Sequence, residues 1–286
     1  MRLGANLLQA RFDDPEQLAE HYKVHGFRAA YFPEYVTCTS KDTGELAKIR
    51  EAFEKRDIVI GELGAWGNPF HPDPETAKEN VAYIIDRLAM ADEVGARCAA
   101  QMVGNRLAGT PAGLGPENMS DEFYALSVDM TRHIVDQVKP RRAKLGFETF
   151  PFNFLYSTDM YEKYLMDINR PQYVTAHLDA INLISSPLLY FSNGAVMRDA
   201  VKRLAPFGIA AMHLKDLIMH PREPNTHLEE VALGQGGLDI RALLKAVQEF
   251  LPVDTPVLME HLPDAQYDEV LPVVVEMGES VGVEFV

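Results

Sequence analysis

A short apolar run followed by a longer amphipathic run recurs eight times along the 286 residues, and this constrains the fold more than any other feature. The apolar runs fall at 2–8, 28–33, 57–66, 97–103, 144–150, 173–179, 208–216 and 255–262. The segments that follow read as helices at 13–26, 43–56, 73–96, 120–138, 157–168, 194–205, 238–250 and 264–277. The third is bounded by Asp73 as a cap, with Pro74 behind it. Strands that alternate with helices indicate a parallel sheet, and eight such units predict a closed (β/α)₈ TIM barrel. No long linker and no shift of composition divides the chain, so residues 1–286 are expected to form one domain. The rival is an open doubly wound sheet, which places a glycine-rich turn after its first strand. Here that position holds NLLQARFDD, and the GQGG at 234–237 follows a long polar loop instead of a strand.

Parallel barrels carry their chemistry at the C-terminal ends of the strands. Glu148, Asp179, His213 and Glu260 stand near the ends of apolar runs five to eight, one per run. Any one of these acids alone reads as a solvated loop residue or a salt-bridge partner. Four converging on one place would leave uncompensated buried charge without a cation. Three carboxylates and an imidazole suit a hard or borderline divalent ion: Mn²⁺, Mg²⁺, Co²⁺ or Zn²⁺. Glu62 and Trp66 mark the end of the third run and Gln101 the fourth. His177, two residues before Asp179, should share its face one layer deeper and make a structural hydrogen bond.

With these motifs in view, the chain resembles the xylose isomerase-like TIM barrel superfamily, in its sugar phosphate isomerase/epimerase branch, which includes D-tagatose 3-epimerase and inosose dehydratase. The resemblance spans essentially the whole chain and rests on GFETFP around Glu148, AHLDAIN around Asp179, AMHLKD around His213, LGQGGLDI at 233–240 and VLMEHL around Glu260. The segment NPFHPDPETAKENVAYIIDRLAMADEVGA also looks like the family's third helix and its lead-in. The resemblance implies that Glu148, Asp179, His213 and Glu260 bind one divalent ion, Mn²⁺ before Mg²⁺, Co²⁺ or Zn²⁺. It implies that Glu148 and Glu260 move the proton next to a substrate carbonyl through a metal-stabilised enediolate. Asn182, Arg222, Trp66, Glu62, Gln101 and Lys215 are the expected substrate-binding residues. The family's epimerases usually carry His three residues after the strand-six Asp, where this chain has Asn182. An amide orients a hydroxyl but shuttles no proton.

The expected activity is therefore isomerisation or epimerisation of a small keto-sugar or polyol. The alternative is a metal-dependent lyase or dehydratase on a keto-sugar or keto-inositol, which begins with the same proton abstraction. A DNA-repair endonuclease is a remote third reading: it needs more histidine ligands than this chain offers, and a net charge of −15 repels a phosphate backbone. A non-enzymatic sugar-binding barrel is the fourth, opposed by the intact ligand set. Cys38 and Cys98 form no CxxC pair, which argues against a disulfide framework or a cysteine zinc site. The N-terminal segment reads as no signal peptide, and no run is apolar enough to span a bilayer. A cytoplasmic location, a carbohydrate substrate without phosphate, no nucleic-acid or membrane partner, and a homodimer or homotetramer by resemblance complete the expectations.

Overall fold

The computed structural model describes residues 1–7, 11–221 and 225–286. Eight strands pair in parallel: β1 (Arg2–Ala5), β2 (Ala29–Tyr31), β3 (Val59–Gly64), β4 (Cys98–Gln101), β5 (Lys144–Glu148), β6 (Val174–Asp179), β7 (Ile209–Leu214) and β10 (Pro256–Met259). They close in the order β1-β10-β7-β6-β5-β4-β3-β2, which is the (β/α)₈ TIM barrel that the alternation predicts. Each strand is shorter than its apolar run. The first run, for example, is strand only to Ala5, and residues 8–10 lie outside the described residues.

The helices are α1 (Pro15–Val24), α2 (Thr43–Glu54), α3 (Pro74–Val94), α4 (Asp121–Val138), α5 (Thr158–Ile168), α6 (Pro187–Phe191), α7 (Asn193–Leu204), α8 (Ile240–Phe250) and α9 (Asp264–Glu279). Their ends follow from local chemistry. Asp73 accepts the Thr76 N–H at 2.8 Å to start α3, and Gly95, at φ 77°, ends it. Asp239 accepts the Ala242 N–H at 3.0 Å to start α8. The short α6 is an addition to the expected helices. It starts where Ser186 accepts the Leu189 N–H at 3.3 Å, with Pro187 in its first turn.

A second addition lies between β7 and α8, where the sequence reads as a polar loop. Strands β8 (Asp216–Met219) and β9 (Leu228–Val231) pair antiparallel, Asp216 opposite Val231 and Met219 opposite Leu228. The Asp216 carboxylate ties this hairpin to the barrel. It accepts N–H bonds from Leu217, Gly234, Gly236 and Leu238 at 2.9–3.1 Å. The glycines of GQGG thus wrap a buried carboxylate instead of a phosphate.

Register sets the height of each side chain at the barrel mouth. Glu148 of β5 stands opposite His177 of β6, and Asp179 of β6 opposite His213 of β7. A register shift at Ala176/His177 carries β6 forward by one residue against β7 and creates the second of these pairings. Within the barrel, β1 and β2 press together over Gly4. A methyl group there would collide with the Ala29 carbonyl and lie 2.6 Å from the Leu258 side chain. Because backbone is the obstacle, Gly4→Ala should destabilise the fold by about 1–3 kcal/mol. The midpoint of urea unfolding should fall accordingly; a midpoint equal to wild type would show that β1 and β2 separate without cost.

Candidate active site at the barrel mouth

Glu148 ends β5, Asp179 ends β6, His213 lies one residue from the end of β7 and Glu260 follows β10. The first three are almost fully buried and the Glu260 side chain is 10% exposed. One ligand atom from each of the four lies within 4.8 Å of all the others. The His213 Nδ1 is 3.0 Å from Glu260 Oε2, 3.4 Å from Glu148 Oε1 and 3.8 Å from Asp179 Oδ2. The Lys215 ammonium closes the group, 2.8 Å from Asp179 Oδ2 and 2.6 Å from Glu260 Oε2.

Beneath this ring sits a second, fully buried cluster. Glu62 receives His177 Nε2 in a very short contact, and its two oxygens lie 3.2 and 3.1 Å from His213 Nε2. With Nε2 facing Glu62, His213 presents Nδ1 to the three upper carboxylates. His177 does lie one layer below Asp179 and makes a hydrogen bond there.

The electrostatics follow from crowding. Burial pushes the Glu148 carboxyl up, and the neighbouring Asp179 and Glu260 charges add to this despite His213. Burial also acts against ionised Glu260, but His213 and Lys215 outweigh it and hold that carboxyl well below its ordinary range. Asp179 is lowered in the same way, with Lys215 the main opponent of burial. Glu62 is held at about 2 by its two imidazoles, against the desolvation that would raise it. For His213, burial lowers the pKa, but Glu260 and Glu62 prevail and keep it well above that of a free imidazole. The two glutamates at the mouth therefore differ in proton affinity although they share one site.

Whether the residues fit a cation can be judged from their unused atoms. Among the described residues, the buried Asp179 Oδ1 and His213 Nδ1 have no hydrogen-bond partner, and Glu260 Oε2 has only ion-pair contacts of poor hydrogen-bond geometry. Buried polar atoms are rarely left so. Atoms of three of the four residues are thus open to a shared ligand, and a three-oxygen, one-nitrogen set suits a divalent ion.

A cavity of about 510 Å³ opens directly above. Glu148, Glu260, Lys215 and Asn182 form its floor side, and Trp66, Tyr31, Met102 and Phe150 give it aromatic and apolar walls. The Trp66 indole N–H donates to Tyr31 Oη at 2.9 Å, so the ring itself is what remains for packing. Asn182 borders the cavity while its amide N–H donates to Asp179 Oδ2 at 2.9 Å, so it touches the ligand set as well as the space for substrate. Two expected substrate contacts stand elsewhere. Glu62 lies under the ring, and Gln101 spends its amide N–H on the Gly67 carbonyl at 2.9 Å; neither borders the cavity. Arg222 lies outside the described residues.

Glu34, Glu230 and His261 also border the cavity, and none of them is among the residues expected from the sequence. Glu34 follows β2, so the strand-end rule applied to PEY finds it. His261 stands beside Glu260 in MEHL. Its backbone has φ 62°, unusual for a residue with a side chain, and its Nδ1 lies 3.0 Å from Glu230 Oε1. Glu230 carries no signal, because the hairpin that delivers it has the sequence of a loop. A different cavity, of about 430 Å³, lies at the N-terminal ends of β3 and β4 beside Arg50, Arg97 and Arg142. Among the described residues it holds no ligand cluster, and that end of a barrel serves stability.

The fold has solved counterparts at low identity. An L-ribulose 3-epimerase superposes with a TM-score of 0.71 at 14% identity, covering 98% of this chain and 95% of that one. A 3-keto-D-glucoside 4-epimerase from E. coli, in its apo form, gives 0.69 at 13%, covering 96% and 99%. A xylose isomerase-like TIM barrel protein from Mycobacterium smegmatis, in complex with magnesium, gives 0.66 at 13%, covering 98% of each. No curated protein matches the sequence significantly. Among the described residues no helix is long and apolar enough to cross a membrane. The sequence profile of the xylose isomerase-like TIM barrel matches residues 3–275, nearly the whole chain, and with the eight-stranded barrel this places the protein in that family.

Proposed function

We propose that the protein is a divalent-metal-dependent isomerase or epimerase of a small, unphosphorylated keto-sugar or polyol, acting in the cytoplasm. The observation that carries this reading is the convergence of Glu148, Asp179, His213 and Glu260, three of them with unused ligand atoms, at a sugar-sized cavity that Glu148 and Glu260 line. A cation held by these four residues, Mn²⁺ before Mg²⁺, would polarise a substrate carbonyl and its neighbouring hydroxyl. Glu148 and Glu260, the two ligands that border the cavity, would take the proton next to the carbonyl and return one to the opposite face. Asn182 and Lys215 orient hydroxyls, and Trp66 covers one side of the sugar. Glu34 and Glu230 beside the cavity repel a phosphate, which supports an unphosphorylated substrate. The resemblance to two solved epimerases of keto-sugars supports the same class.

The test is incubation of the Mn²⁺-loaded protein with a panel of ketopentoses, ketohexoses and keto-glycosides in D₂O. One substrate should give an epimer or isomer carrying solvent deuterium at a single carbon. Glu148→Gln and Glu260→Gln should each lower its turnover by about 10²–10⁴-fold. Loss of water from the substrate would overturn the reading in favour of a lyase, and absence of exchange across the panel would reject it.

The ligand set can be checked without a substrate. Before metal enters, the surrounding carboxylates keep His213 protonated at neutral pH; a ligating imidazole must be neutral. Uptake of Mn²⁺ at pH 7 should therefore release about one proton per ion. Calorimetric enthalpies in buffers of different ionisation enthalpy should vary with that slope, and affinity should fall as pH is lowered. Enthalpies independent of buffer would remove His213 from the ligand set.

A further inference from the structure

The hairpin carries a cluster that the barrel chemistry does not use. His220 follows β8, His227 precedes β9, and Glu229 lies within β9. The His220 N–H donates to the His227 carbonyl at 3.0 Å, which extends the ladder by one pair and sets the two histidines opposite each other. Glu229 is two residues after His227, so on a strand it shares that face. The outcome is three potential ligand atoms within 4.8 Å of one another, one from each residue. The imidazole centroids are 4.7 Å apart, and His220 Nε2 lies 2.5 Å from Glu229 Oε2. Among the described residues no Lys or Arg pairs with Glu229; His220 is its ion-pair partner.

We propose that His220, His227 and Glu229 form a second divalent-metal site, for a borderline ion of the Zn²⁺, Co²⁺ or Ni²⁺ type. Two imidazoles and one carboxylate are a nitrogen-rich set, which favours these ions over the hard cations that prefer oxygen. On a tetrahedral ion with bonds near 2.1 Å, ligand atoms stand ~3.4 Å apart. The observed spacing brackets that value, and exposed side chains reach it by rotamer adjustment without moving the ladder. A fourth position is open to water or another ligand. The site also bears on the cavity. Glu229 and Glu230 point to opposite faces of β9, and Glu230 borders the cavity. An ion on the outer face fixes the strand that delivers Glu230 on the inner one. The proposal does not depend on the function assigned to the barrel mouth.

Metal-stripped wild type, the double variant His220→Asn/His227→Asn and the variant Asp179→Asn should be titrated with Zn²⁺ by calorimetry at pH 7.5. The double variant should take up one equivalent less than wild type, while Asp179→Asn keeps the hairpin equivalent. Glu229→Gln should weaken the same equivalent by about tenfold or more. Equal uptake by wild type and the double variant overturns the hairpin site. Failure of the barrel-mouth reading shows separately, as uptake by Asp179→Asn equal to wild type, and leaves the comparison at the hairpin intact.

Discussion

Three carboxylates face one another at the mouth of the barrel, with little water to screen them. Their mutual repulsion organises everything around them. Lys215 lies against two of them, and His213 is held cationic between all three. Glu62 then has to sit below, because a buried imidazolium needs its second nitrogen satisfied. His177 completes the arrangement by sharing Glu62. Charge therefore alternates from Lys215 through the carboxylates and His213 to Glu62, and each member is tolerable only because of the next. A divalent ion would enter this chain by taking over the work of a proton and an ammonium group. The site is accordingly built for positive charge in whatever form it arrives.

The same repulsion explains how the two glutamates can differ. They stand at similar depth, yet Lys215 lies against Glu260 and not against Glu148. His213 and then Lys215 hold the Glu260 carboxyl below its ordinary range, whereas burial and the neighbouring carboxylates raise Glu148. The two-residue spacing between His213 and Lys215, on and just beyond β7, brings both positive groups to the same carboxylates.

Much of this is legible in the sequence. Glu148, Asp179, His213 and Glu260 each close an apolar run, and four neighbouring runs that end alike mark a shared site where one alone marks nothing. The barrel itself follows from counting runs. Depth is harder to read. Glu62 lies three residues into β3, whose pairing with β2 shifts register at Ala30/Tyr31. Alternation marks which side chains face the barrel interior but not the layer at which each one sits, so it does not separate a residue at the cavity from one under the ring. The hairpin is hidden for a related reason. LEEV is short, carries one acidic and one apolar residue on each face, and is followed by glycines that the Asp216 carboxylate gathers. Its stability comes from that long-range capture and not from strand propensity.

That capture separates two properties which many enzymes keep entangled. The atoms suited to holding a cation belong to barrel strands, fixed by the closed sheet. Part of the cavity wall belongs to a hairpin that is spliced between β7 and α8 and anchored through one carboxylate. Lineages of this chain could exchange the residues between Leu217 and Glu230 and so reshape what enters the cavity, while the carboxylate and histidine ring and its charge balance stay unchanged. The barrel would then act as a fixed reaction vessel and the hairpin as its interchangeable gate.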